Sequence, residues 1–217
     1  MSRIINYRIS GRAKLLPYLG AADGLTPDQR RVHGMMLDRA RREQAELDCQ
    51  GVDLGLTVPA ALEQLTAGRA DSTARYAGGA YTRALQCMIA CTSSDPNDLG
   101  VYSRPSTFFS LLDEELTRAG VDPELLFHAR LFSGPPDEIP FPLPHPGDGP
   151  YIGMFPLALA GRAAEAYRAA LDLVGEGFRH DLRELAELLE FAHRGWEPST
   201  GNADRYGHDT IYFFTLG

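Results

Sequence analysis

The last stretch of the chain, Asp209–Leu216, reads DTIYFFTL and decides the fold. β-branched and aromatic residues dominate it, which is typical of a β-strand. Along an extended strand Tyr212 and Phe214 face one side. Ile211 and Phe213 face the other, so both sides are apolar. A strand of this kind normally lies in the interior of a sheet.

The opposite end of the chain also predicts a strand. In Arg3–Ile9, the apolar residues Ile5, Tyr7 and Ile9 recur at every second position. This alternation is typical of a strand with one buried face. A shorter strand is predicted at Tyr151–Phe155. We expect the two terminal strands to lie in one sheet.

Most of the chain between these strands predicts helices. The sequence TPDQ at Thr26–Gln29 begins a helix of about 20 residues, because a threonine cap, a first-turn proline and a capping-box glutamine follow in order. Phe178–His193 has the clearest helical period. Further helices are predicted at Arg12–Leu19, Val58–Leu65, Ala77–Ala90, Phe108–Leu116, a segment opened by Asp122-Pro123, and Arg162–Leu173. Polar loops are predicted at Thr92–Asp98 and Glu197–Gly207.

Together these elements predict an α+β fold with one domain, residues 1–217. It would hold a small mixed or antiparallel sheet that includes both terminal strands and packs against several helices. The length of 217 residues and the hydrophobic content of 44% suit one large domain. On the helix Phe108–Leu116, the predicted apolar side holds Phe108, Leu111, Leu112 and Leu116.

The segment 134–153, GPPDEIPFPLPHPGDGPYIG, contains seven prolines and four glycines. Such a composition suits either a linker between domains or a fixed loop. Ile139 and Phe141 favour the fixed loop, because a docked loop gains roughly 1.5–3 kcal/mol from burying each. We therefore expect this proline-rich segment, as we call residues 134–153, to pack within one folded unit.

Charge and hydropathy argue against a nucleic-acid partner and against a membrane or secreted location. The net charge of −8 argues against a nucleic-acid binder, which needs clustered positive charge. The mean hydropathy is −0.22 and no apolar run approaches the roughly 18 residues of a membrane span. The N-terminal sequence lacks the apolar core of a signal peptide. The expected location is the cytoplasm, with no membrane partner. Arginine far outnumbers lysine, which indicates a GC-rich bacterial source.

The cysteines predict neither a disulfide framework nor a metal site. There are three, Cys49, Cys87 and Cys91, an odd number. Cys87 and Cys91 lie four residues apart on a predicted helix, a spacing that suits a metal but equally suits two small core residues. We interpret them as core residues, and we predict no metal and no cofactor.

No nucleophile elbow, P-loop, dinucleotide-binding or zinc-peptidase motif occurs in the sequence. Candidate acid–base groups lie near or in the proline-rich segment and at one helix start: His128, Arg130, His145, Asp148, His180 and Asp181. His180 and Asp181 equally suit a solvated pair in a first helical turn. Gly78 and Gly79 would open a helix and either offer backbone N–H groups to an anion or simply begin that helix.

Four tyrosines are candidates for a ligand-binding pocket: Tyr7, Tyr76, Tyr81 and Tyr212. A buried tyrosine needs a partner for its hydroxyl group, which favours places where polar and apolar surfaces meet. Core packing explains the neighbouring Phe213 and Phe214 without a ligand.

The order of segments resembles a known set of proteins. An opening strand with IINY is followed by ALQCMIACTSS, then LLDEELTRAGVDPELLFHARLFSGPP, then PFPLPHPGDGPYIG, an amphipathic helix and an aromatic terminal strand. This order is similar to uncharacterised actinobacterial proteins classed as domains of unknown function, and more distantly to the YfbM-like family. The resemblance implies a single α+β domain. It implies no activity, so no catalytic residue is carried over.

These observations predict a cytoplasmic, non-enzymatic domain that binds a small ligand or a protein partner, with self-association left open. The alternative is an enzyme with a His/Asp/Arg acid–base site beside the proline-rich segment. Acid–base catalysis needs such groups within hydrogen-bonding reach of the substrate and of each other. Their separation would favour binding.

Overall fold

The computed structural model describes residues 2–21, 24–147, 150–197 and 200–216. The chain divides into two compact units. The first comprises Met1–Gly11, Asp95–Pro135 and Ile152–Gly217, and the second comprises Arg12–Ser94 and Pro136–Tyr151. The organisation of both units as a single domain stays a prediction.

A four-stranded antiparallel sheet is formed by described residues, in the order β2–β1–β4–β3. Its strands are β1 (Arg3–Ser10), β2 (Asn97–Tyr102), β3 (Tyr151–Pro156) and β4 (Thr210–Leu216). β1 pairs with β4, placing Tyr7 opposite Phe213 and Ile5 opposite Thr215. The two ends of the chain therefore lie side by side in one sheet, as predicted. The α+β fold is confirmed.

The helices agree with the predicted segments, with differences at their ends. They are α1 (Arg12–Leu15, continued by a 3-10 turn at Leu16–Tyr18), α2 (Pro27–Cys49), α3 (Val58–Thr66), α4 (Ala77–Thr92), α5 (Pro105–Arg118), α6 (Phe127–Leu131, preceded by a 3-10 turn at Pro123–Leu125), α7 (Leu157–Ala170), α8 (Glu176–Trp196) and α9 (Asn202–Tyr206). α9 falls in the predicted loop 197–207, so that part of the prediction is wrong. A helix of five residues is too short to show a hydrophobic period.

Strand β2 is the other element that sequence patterns missed. The predicted loop Thr92–Asp98 contains Asn97 and Asp98, which begin β2. Asn and Asp are rare in strands. Here they are tolerated because β2 lies at the edge of the sheet and both side chains are exposed. The register also shifts between Ile5 and Asn6, a bulge that is common at sheet edges.

One face of the sheet supplies the core of the first unit. Ile5, Tyr7 and Phe213 are buried there together with apolar residues of α5–α8. Helix α8 contributes its predicted stripe, in which Leu185 and Leu189 are fully buried. Burying one leucine contributes roughly 1.5–3 kcal/mol, so this stripe holds the helix in place.

The second unit is built on α2, α3 and α4. The predicted capping box is present, since the Gln29 N–H donates to Thr26 Oγ1 and the Thr26 N–H donates to Gln29 Oε1 at 2.8 Å. A half-buried ion pair between Arg83 and Glu43 joins α4 to α2. This pair is the main charged contact between the two helices.

Residues 136–151 of the proline-rich segment pack on this second unit. A Cβ atom at Gly78, in the first turn of α4, would lie only 2.0 Å from the carbonyl oxygen of His145. Ile139 and Phe141 are half-buried. Arg12 pairs with Glu138 at 2.5 Å. The described part of residues 136–151 is therefore docked, as expected of a fixed loop. The expectation that the whole segment packs within one unit is wrong, because residues 134–135 and 152–153 belong to the first unit.

Candidate functional site

His128 is a predicted acid–base residue that lies beside a serine hydroxyl group. It lies on α6, half-buried, and its Nε2 is 3.2 Å from Oγ of the exposed Ser106 at the start of α5. The ring of Phe132 lies 5.0 Å from the imidazole. Sequence reasoning missed Ser106, because 22 residues separate it from His128 and no motif joins them.

Asp113 of α5 holds the first turn of α6. Its two carboxylate oxygens accept hydrogen bonds from the backbone N–H groups of Phe127 and His128, each at 2.9 Å. Burial raises the pKa of Asp113, although those bonds and the nearby His128 oppose the shift. Both oxygens bind backbone, so Asp113 positions α6 and does not orient the imidazole ring. Among the described residues, Ser106 and His128 therefore form a pair, and Asp113 does not act as the third member of a triad.

The other predicted acid–base groups make separate contacts. Arg130 donates to the carbonyl of Glu124 at 3.2 Å. His145, in the second unit, accepts from the Gly147 N–H at 3.0 Å through Nδ1. His180 is exposed on α8, and the neighbouring Asp181 bonds the hydroxyl of Tyr102.

Asp148 lies outside the described residues. Within the described part of the chain, the remaining members of this set do not hydrogen-bond to one another. Their role as catalytic residues stays a prediction.

The four candidate tyrosines occupy different places. Tyr7 faces the core of the first unit, 6.1 Å from the ring of Phe213, and burial raises its pKa. Tyr212, on β4, is fully buried. In the second unit, the Tyr81 hydroxyl donates to Gln64 and accepts from the backbone N–H of Ser72. Tyr76 is exposed beneath the Arg75 guanidinium, 5.0 Å away.

Packing and internal hydrogen bonds account for Tyr7 and Tyr81. Only Tyr76 presents its ring to solvent among these four. Their ligand-binding role stays a prediction.

Backbone of the proline-rich segment packs against Gly78 at the start of α4. A Cβ atom on Gly78 would lie 2.0 Å from the carbonyl oxygen of His145 and 3.0 Å from that of Pro144, so a side chain would not fit. The chain's own proline-rich segment therefore occupies this helix start. This favours the plain structural interpretation of Gly78 and Gly79 over an anion site.

Cys87 is placed as a core residue. Cys87 is buried, and burial raises the pKa of its thiol to about 12. A thiol of that pKa is protonated at neutral pH and is a poor nucleophile or ligand. Over the ranges that the structure describes, no group of three or more His, Cys, Asp or Glu side chains suits a metal ion.

An exposed apolar surface lies where α5 meets the start of α8. It consists of Tyr102, Phe108, Leu111, Leu173 and Phe178, and we call it the α5–α8 patch. Leu173 is 65% exposed and Leu111 is 45% exposed, while the three aromatic rings are half-buried. The prediction that Leu111 faces the core is wrong, because Phe109 takes that buried position instead.

Direct contacts hold the α5–α8 patch together. The ring of Phe108 lies 5.2 Å from Tyr102 and 5.4 Å from Phe178. One turn beyond Leu111, Glu115 accepts from the Gly175 N–H at 3.0 Å. A Cβ atom at Gly175 would lie 3.7 Å from Phe178. Leu111 follows Phe108 by three residues on α5, which places the two side chains on neighbouring positions of that helix, and Leu173 precedes Gly175 by two residues along the chain.

Two carboxylates of α8 act on the ionisation of Tyr102 in this patch. Burial raises the pKa of Tyr102, and the charge of Asp181, its hydrogen bond to the hydroxyl and the charge of Glu184 raise it further. The Gly175 N–H and the Arg118 guanidinium lower the pKa of Glu115. Glu184 is exposed and makes no ion pair with any described residue. The patch therefore has charged groups of both signs near it, since Arg118 pairs with Glu115 and Arg179 lies beside Phe178 on α8.

Comparisons with known proteins identify the family and nothing beyond it. Neither the curated proteins nor the solved structures gave a match. No helix in the described ranges is long and apolar enough to cross a membrane. A family model described as a domain of unknown function, DUF7691, matches residues 1–215, and the chain belongs to that family.

Proposed function

We propose that this chain is a non-enzymatic domain that binds a protein partner on the α5–α8 patch. The exposure of Leu111 and Leu173 beside three half-buried aromatic rings carries the proposal. Exposed apolar surface marks interaction sites on many proteins. Each leucine would contribute roughly 1.5–3 kcal/mol if a partner covered it fully.

The contacts of the predicted acid–base groups support binding over catalysis. Arg130 and His145 bond backbone groups, and Asp181 bonds Tyr102. His180 points to solvent on α8. Groups that serve separate elements do not converge on one substrate.

Four further proposals rest on sequence features alone. The arginine bias supports an actinobacterial source, and segment order supports kinship with the YfbM-like family. The modest hydropathy supports a cytoplasmic domain, and the net charge of −8 supports one without a nucleic-acid partner. The length of 217 residues supports one domain over residues 1–217.

Site-specific photo-crosslinking tests the proposed binding. A photoreactive phenylalanine analogue replaces Leu173 in the chain expressed in its own host, and the same analogue at Phe191 serves as the control. Phe191 is 61% exposed on α8 and lies thirteen residues beyond Phe178, roughly 20 Å along the helix.

We expect one discrete crosslinked protein from position 173, lost when Leu111 is changed to Asp, and none from position 191. A thermal melt confirms that Leu111→Asp is folded. Absence of a product at 173, or a product that survives Leu111→Asp, contradicts the proposal.

The Ser106–His128 contact favours a second candidate function, acyl transfer. In that reaction Ser106 Oγ would bond to the acyl carbon while its proton passes to His128 Nε2. The imidazolium would then protonate the leaving group, and water would release the acid and restore the serine. The 3.2 Å separation suits the proton transfer.

A fluorophosphonate probe tests this candidate, because it phosphonylates activated serines and loses fluoride. Labelling of the native chain that disappears in both Ser106→Ala and His128→Gln would support acyl transfer. Ser110→Ala serves as the control on the same helix. No labelling, or labelling that is indifferent to His128, rejects it.

A further inference from the structure

We draw no further inference here: the strongest candidate, the side-chain cluster of Ser106 and His128 at the N-terminus of α5, belongs to the site already described for acyl transfer, and beyond that site it offers only the first-turn N–H groups of one helix, which nothing else in the described residues ties to a ligand.

Discussion

Gly78 is the residue on which docking of the proline-rich segment depends. A Cβ atom there would lie 2.0 Å from a backbone carbonyl, a separation that only movement of the segment can relieve. Gly34, in the middle of α2, has no heavy atom within 4 Å of its Cβ position. A side chain at Gly78 would therefore clash with the proline-rich segment, whereas a side chain at Gly34 would meet no neighbour.

Changing each glycine to alanine should show this difference. Gly78→Ala should lower the free energy of unfolding by about 1–3 kcal/mol, as overpacking does. Gly34→Ala should raise it by about 0.5–1 kcal/mol, because alanine favours the helix. Urea unfolding measures both.

His145→Ala should change this free energy little, since it keeps the carbonyl and removes an exposed ring together with one solvent-exposed hydrogen bond from the Gly147 N–H. A neutral Gly78→Ala, or a large loss in His145→Ala, would mean that the segment is not docked through this backbone.

Cys87 should resist alkylation in the folded chain. It is buried and burial raises its pKa to about 12, whereas Cys49 is exposed at the end of α2. Maleimide labelling at pH 7, followed by peptide mass spectrometry, should modify Cys49 rapidly and Cys87 only after denaturant is added. Equal labelling of both thiols before unfolding would contradict the burial of α4.

At the scale of the element, α8 shows what periodicity predicts well. Leu182, Leu185 and Leu189 recur on one face over many turns, so both the helix and its buried side followed from the sequence. Short elements lack this signal. α9 has five residues, and β2 begins with residues that are poor strand formers. Pairing with β1, which sequence patterns do not show, determines β2.

Two changes on α8 test which face is buried. Leu185→Asp should abolish cooperative folding, because a carboxylate would replace a fully buried leucine and its desolvation costs several kcal/mol. Phe191→Asp on the same helix should leave the melting temperature nearly unchanged, since Phe191 is largely exposed. Circular dichroism melts compare them. A folded Leu185→Asp variant would contradict the packing of α8.

Helix α5 explains why the candidate site was harder to predict than the fold. Phe108, Phe109, Leu111 and Leu112 are all apolar, so several faces of the helix are compatible with the core. Packing selects Phe109 and Leu112 and leaves Leu111 exposed. Likewise, Ser106 meets His128 only through the arrangement of α5 and α6. Both features depend on tertiary contacts that leave no local pattern.

At the scale of the whole molecule, exposed carboxylates link stability to pH. Glu190 bonds Arg168, which lowers the pKa of this carboxyl below its ordinary 4.5. The unfolded chain therefore binds more protons than the folded one as pH falls below about 4.5, and stability declines there. The half-buried Asp113 acts in the opposite direction, because its pKa is raised.

A variant isolates the Glu190 contribution. Glu190→Gln should be less stable than the native chain at pH 6, and the difference should shrink as pH falls through the lowered pKa of Glu190. Urea titrations at several pH values measure it. A difference that stays constant down to pH 3 would show that the ion pair does not carry the effect.

The exposed α5–α8 patch is the surface on which we propose that a protein partner binds. Net charge and the terminal strands were evident from the sequence, and the patch was not.

The central claim is that a partner covers this patch. Hydrogen–deuterium exchange of the chain, alone and with its crosslink-identified partner, tests the claim most directly. We predict slower exchange over 105–118 and 171–184 in the complex. Protection confined to other segments, with these two unchanged, would contradict it.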